Sequence, residues 1–244
     1  MPQVINTNIA SLTAQRNLNS SQGALSTALS RLSSGLRVNS AKDDAAGIAI
    51  ATRLEAQSRG MSVAIRNSND ALSFLQTAEG GVSKITESLN RMRELAVQSA
   101  NGTYTASDRA NLNAEFAQLA SEIGRVASQT EFNGLQMFNG SGSQTFQVGA
   151  NSGEQVTITT TALSGSALTA ATDATSAIIS ASTASAGAAS ASIAIKNIDD
   201  ALDALSTERS TYGAAQSRFE GIVSILQISR ENQDAAASRI MDAD

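Results

Sequence analysis

The sequence predicts a mainly α-helical fold, an elongated antiparallel helical bundle or rod formed by the N- and C-terminal segments, with a small β-hairpin region. Three observations carry this. Two distant stretches, residues 44–100 and 193 onward, bear apolar stripes at spacings of three, four and seven. Only one short region, residues 136–161, alternates apolar and polar residues as a hairpin does. Aromatic residues make up 3% and charged residues 16% of the 244 residues, and Ala, Ser, Asn, Gln and Thr fill much of the rest. Small side chains let helix backbones approach closely but bury little area each, which suits thin layers of long helices better than a wide core.

The first element predicted is a helix within residues 5–36. Ile5, Ile9, Leu12, Leu18, Leu25, Leu29, Leu32 and Leu36 fall mostly on one helical stripe, and Gly35 is placed as a C-cap. Small polar residues fill the positions between, so the segment is weakly held alone. The second helix is expected over roughly 44–100. Ser40 and Asp43 have capping-box spacing ahead of it, and Asp43 and Asp44 bring negative charge to its first turn. Its stripe runs Leu54, Met61, Ile65, Leu72, Leu75, Val82, Ile85, Leu89, Met92, Ala96. At 1.5 Å per residue such a helix is about 85 Å long, and nothing so long stands without partner helices. Gly60, Gly80 and Gly81 weaken it locally.

Asn101-Gly102 ends that helix, and Thr105 with Asp108 repeats the capping-box spacing for a third. Leu112, Phe116, Leu119, Ile123 and Val126 then follow at steps of four and three, so this helix folds back on the second. Phe132-Asn133-Gly134 and Phe138-Asn139-Gly140 are turn signals. Phe146 and Val148 alternate, as do Val156 and Ile158, around Asn151-Ser152-Gly153; this is the hairpin, expected to pack on the helices by its aromatic face. Residues 162–192 are almost entirely Ala, Ser, Thr and Gly, and either a flexible loop or a weak helix fits them. The last helix begins near 193 with Ile198, Leu202, Leu205, Tyr212, Phe219, Ile222 and Leu226, and is the partner that the second helix requires. It stops at Asp244 in mid-pattern and without a C-cap, which is the expectation of a missing continuation.

Composition also excludes functions. The chain has no His and no Cys, so it cannot build the usual zinc site, a thiol nucleophile, a disulfide or a histidine base. No catalytic, cofactor-binding or metal-binding residues are assigned, and no enzymatic activity is expected. A formal net charge of -5 argues against nucleic acid as a partner. Residues 1–20 lack an apolar signal-peptide core, and no window is long and apolar enough for a membrane span. By those signals alone the chain reads as cytoplasmic, an inference that misses any export route without a cleaved signal.

Several long collinear stretches resemble bacterial flagellin, the subunit of the flagellar filament. They are INTNIASLTAQRNLN, LSRLSSGLRVNSAKDDAAGIAIATRL and IRNSNDALSFLQTAEG, then LNRMRELAVQSANGTYTASDR and QTEFNG, and finally SRFEGIVSILQ and SRIMDAD. The resemblance covers nearly all of the chain except 162–192, the place where the family varies, and is to the short type with a minimal variable region. It implies a division into residues 1–40, the N-terminal half of an inner terminal domain and disordered in a monomer; 41–135, the N-terminal helical part of the core rod; 136–161, its β-hairpin region; 162–192, the variable segment; and 193–244, the C-terminal helix of the rod, truncated.

The function implied is a structural, extracellular one in motility: export without a cleaved signal peptide and self-assembly into a helical tube. Its expected partners are neighbouring copies, the export machinery, the filament cap and the junction protein. Export-chaperone binding is put in question, because the family uses a C-terminal helix beyond the SRIMDAD-like stretch. The alternative is a hook-filament junction protein, which shares the end sequences. The face around Arg91, Arg93 and Glu94 reads either as a solvated surface or as a subunit contact. The resemblance favours the contact and adds that the vertebrate flagellin-sensing Toll-like receptor binds relatives there. Carried over residue by residue, the interface centres on Arg91, Leu95 and Glu115, with Leu89 at its flank.

Overall fold

The computed structural model describes residues 8–138, 142–160, 166–173 and 184–243. In chain order the elements are α1 (Ile9–Ser34), α2 (Ala45–Ala100), α3 (Ala106–Gln129), β1 (Glu131–Phe132), β2 (Leu135–Gln136), β3 (Gly142–Gln147), β4 (Gln155–Thr160), α4 (Ser166–Asp173) and α5 (Ala184–Met241). The chain is therefore mainly helical, with two small antiparallel hairpins. It divides into two compact units: the chain up to Val63 together with Leu226 onward, and Ala64–Ile225.

In the first unit, α1 is N-capped by Asn8, whose side chain accepts from the Ser11 N–H, and ends at Gly35 in the left-handed region, φ 70°. That is the predicted C-cap, a conformation Gly adopts without the steric cost a Cβ brings. None of its side chains is buried; Ile9, Leu12, Leu18, Leu25, Leu29 and Leu32 are all exposed. Ile5 and the rest of residues 1–7 lie outside the described residues. The linker after α1 pairs with the end of α5. Leu36 forms an antiparallel bridge with Asp242, and the Arg37 N–H donates to Met241 O at 2.7 Å. Arg37 Nη2 donates to Ile240 O at 2.7 Å, so the linker satisfies carbonyls that the last turn of α5 leaves open.

The predicted Ser40/Asp43 pair forms, but as a turn ahead of the helix. Asp43 Oδ2 accepts from the Ser40 hydroxyl and from the N–H groups of Asn39 and Ser40. The helix proper starts at Ala45, and Asp44 caps it, with Oδ1 accepting from the Gly47 N–H at 2.8 Å. The Asn39–Asp43 turn thus precedes the helix and moves the cap four residues on, from Ser40 to Asp44. In this unit α2 and α5 run antiparallel: Gly47 lies beside Ile240, and Arg230 reaches Ser62.

The second unit holds the main core. Phe74, Leu75, Ala78, Val82, Ile85, Leu89, Met92, Leu95 and Ala96 of α2 meet Phe116 and Ile123 of α3 and Ile198, Leu205, Tyr212 and Phe219 of α5. The predicted stripe is thus buried from Leu75 onward, and widened by Phe74, Ala78 and Leu95. Helix α3 starts with the predicted capping box, Thr105 with Asp108, and folds back along α2. The β3–β4 hairpin has register Phe146↔Val156 and Gln144↔Ile158, with Val156, Ile158 and Thr160 buried. As expected, its aromatic face packs on helices. The Phe146 ring lies 5.9 Å from Phe74 and 6.0 Å from Phe219, and Phe74 meets Phe132 edge-on at 5.8 Å. In the Ala/Ser/Thr-rich region, α4 and the first turns of α5 are helical; the rest of 162–192 lies outside the described residues. Helix α5 begins at Ala184 rather than near 193, because Ala-rich sequence propagates helix without needing an apolar stripe.

Candidate functional site

The outer face of the α2–α3 hairpin is built by helical spacing. Arg91 and Arg93 are two residues apart, which turns their side chains about 200° from each other around α2. Arg91 therefore faces α3 and Arg93 faces α5. Arg91 Nε donates to Glu115 Oε1 at 2.8 Å, and Arg91 Nη1 donates to Glu94 Oε2 at 2.8 Å. Arg93 Nε donates to Asp199 Oδ1 at 2.7 Å. Glu115, then Glu94, push the Arg91 guanidinium above its already high ordinary value, so it is cationic throughout the physiological range. About half of each side chain in the Arg91–Glu115 pair remains open to solvent (50% and 47%). Exposed pairs of this kind are screened by solvent and add little to stability, so the pair is available to exchange partners at small cost.

The two leucines sit differently. Leu89 and Leu95 are core residues, 0% and 2% exposed. They hold the helix under Arg91, and their side chains do not reach the surface. The face open to a partner is thus Arg91, Glu94 and Glu115, with Val97 beyond them, half exposed. Glu94 bridges to Arg91 at the i,i+3 spacing of neighbours on one helix face.

One residue was missed. Arg109 is only 4% exposed, and its guanidinium caps the C-terminal end of α2, with Nε to Ser99 O at 3.1 Å and Nη2 to Asn101 O at 3.2 Å. Gly187 of α5 lies against it; a Cβ there would stand 3.1 Å from the guanidinium. The signal available was an omission: the last turn of α2 has no basic residue of its own to meet its open carbonyls. Among the described residues no group of three or more His, Cys, Asp or Glu is placed to hold a metal, and no helix is long and apolar enough to cross a membrane.

Comparison with known proteins adds to this geometry. A family profile described as the bacterial flagellin N-terminal helical region matches residues 5–143, and one described as the C-terminal helical region matches residues 195–244. The chain belongs to the bacterial flagellin family. Curated flagellins that it matches include that of Salmonella muenchen, 54% identical over 168 residues (69% of this chain, 33% of the relative). Flagellin A of Vibrio anguillarum is 51% identical over 164 residues (67% of this chain, 43% of the relative). The aligned part thus spans a third to under half the length of those flagellins.

Among solved structures, Bacillus cereus flagellin superposes with a TM-score of 0.53 at 28% identity, covering 66% of this chain and 88% of that one. A protein described as flagellar hook-associated, from Vibrio parahaemolyticus, gives 0.71 at 17% identity, covering 82% and 100%. At that identity the second likeness shows a shared fold and nothing more. The matched flagellin regions contain the whole of α2 and α3 and most of α5, the elements that carry Arg91, Arg93, Glu115 and Asp199.

Proposed function

We propose that this chain is a structural subunit of the bacterial flagellar filament, working outside the cell in motility after export without a cleaved signal peptide. The observation that carries the reading is that both flagellin helical regions match in order, at opposite ends of one chain. A subunit that binds a different patch on its neighbour builds an open helix when the rotation does not close. Its partners are further copies of itself, the export machinery, the filament cap and the junction protein. Residues 1–40 form the N-terminal half of the inner terminal domain, whose helix opens readily in a monomer. Residues 41–135 and 193–244 supply the rod helices, 136–161 the hairpin region and 162–192 the variable segment. The family is structural, so catalysis has no part in the reading.

The test is complementation. The gene that encodes this chain is expressed in a motile bacterium lacking its own flagellin. Filaments and swimming are expected. Secretion of the intact chain as monomer only, with no filament, would count against the filament subunit and for the junction protein.

The same reading makes the Arg91 face a docking site for the vertebrate flagellin-sensing Toll-like receptor. Its support is the exposed cation held between Glu94 and Glu115. Because the pair adds little to stability, Arg91→Asp should leave the fold intact by circular dichroism. It should cost the complex on the order of 2 kcal/mol, about thirtyfold in Kd, through a lost charge-assisted contact. Receptor affinity unchanged in the folded variant would overturn this assignment and leave the filament role untouched.

A further inference from the structure

We infer that Asn101–Gly102, at the corner between α2 and α3, is a site of spontaneous backbone rearrangement, where water converts the asparagine to aspartyl and isoaspartyl forms. Two described Asn-Gly pairs have very different settings. Asn101 is exposed, just past the end of α2, and its side-chain Oδ1 accepts from the Thr103 N–H at 3.2 Å. That contact folds the side-chain amide back over the Gly102 peptide. It also aims a backbone donor at the oxygen that gains negative charge when Cγ is attacked, the arrangement that stabilises a tetrahedral intermediate. Gly102 offers no Cβ to obstruct the approach, and open space surrounds it: a methyl built there meets nothing within 4 Å. The Asn101 carbonyl is held by Arg109 Nη2 and the Tyr104 N–H, so the main chain at the corner stays in register while the side chain reacts.

Asn133 is held otherwise. Its φ is 51° and that of Gly134 is 76°, in a two-residue turn closed by the Phe132↔Leu135 pair. Closing a five-membered ring needs the Asn backbone to rotate far from this left-handed geometry, which the β1–β2 hairpin opposes.

The reaction needs only water. The Gly102 amide nitrogen loses its proton to solvent base and bonds to Asn101 Cγ. The bond from Cγ to the side-chain nitrogen breaks, and the nitrogen leaves as ammonia after taking up a proton. Water then opens either carbonyl of the resulting succinimide, and no electrons are transferred to or from the protein. In the isoaspartyl form the free carboxylate is the former Asn101 main-chain carbonyl, the group that Arg109 holds, and a methylene is added to the main chain between the two helices that carry Arg91 and Glu115.

The test ages the purified full chain in warm, mildly alkaline water enriched in oxygen-18, with peptide mapping and electron-transfer fragmentation to separate aspartyl from isoaspartyl products. Amide-to-acid conversion carrying the heavy oxygen should accumulate at position 101 ahead of position 133. It should be strongly slowed in Gly102→Ala, whose added methyl meets no neighbour and whose fold is checked by circular dichroism. Conversion at 133 first or at an equal rate would overturn the inference. So would a folded Gly102→Ala protein that converts at the wild-type rate.

Discussion

Asp108 shows how much one side chain can settle. Its carboxylate accepts from the Thr105 N–H and hydroxyl, while the Thr105 hydroxyl accepts from the Asp108 N–H. The Thr105 hydroxyl, then the Thr105 backbone, hold the Asp108 carboxyl below its ordinary value of 3.8. The folded pKa is the lower one, so the unfolded chain takes up its proton first as acid is added. The contribution to stability is fully present above pH 3.8 and is lost as pH falls through the folded value. A urea midpoint followed into acid should drop more steeply for the wild type than for Asp108→Asn over that interval; parallel curves would remove the capping box from the account. This pairing was readable from spacing because it is local. The Arg91–Glu115 and Arg93–Asp199 pairs were not: one spans 24 residues and the other 106. The Arg91 face was visible as polar residues off the stripe, whereas the burial of Leu95 was not. A helix covered by α3 on one side and α5 on the other buries a wider face than a single seam implies.

At the level of elements, α2 carries two adjacent glycines with opposite reasons for being there. A Cβ at Gly80 would meet nothing within 4 Å, while one at Gly81 would stand 2.7 Å from the Phe138 ring and 3.1 Å from Thr130. Gly80→Ala should therefore stabilise the protein by about 1 kcal/mol through helix propensity alone. Gly81→Ala should destabilise it by about 1 kcal/mol or more, because overpacking outweighs the same propensity gain. Urea midpoints of the two variants, read side by side, should move in opposite directions; a shared direction would mean that Phe138 yields freely. Sequence periodicity located α2, α3 and the β3–β4 hairpin, since each has a sustained apolar pattern. It placed the start of α5 too late, because Ala-rich turns leave no pattern to read. It placed the cap of α2 too early, because Ser40/Asp43 spacing serves a turn as well as a helix.

Across the whole chain, burial is uneven. The Ala64–Ile225 unit holds almost all of the large buried side chains, while six large apolar residues of α1 lie in solvent. Each forgoes a good part of the about 1.5–3 kcal/mol that full burial of such a side chain brings, and a helix with no packed face is left with little beyond its own propensity. Amide exchange of a monomeric sample should therefore be fast over Ile9–Leu32 and slow over Ala71–Ala96, with the gap set by local opening. Protection of the same order in both would show that α1 is already supported. What the sequence told of this was the stripe itself; that nothing in the described chain covers it could only be seen in three dimensions.

Tyr212 is fully buried in that same unit. Burial, then the neighbouring Glu208, push its phenol well above the ordinary value of 10.0. The chain has two tyrosines and no tryptophan. Near-ultraviolet light is therefore absorbed by very few rings, and one of them stands at the point where α5 meets β4. The protein carries its own optical gauge of whether that joint is closed, with no dye or engineered label required.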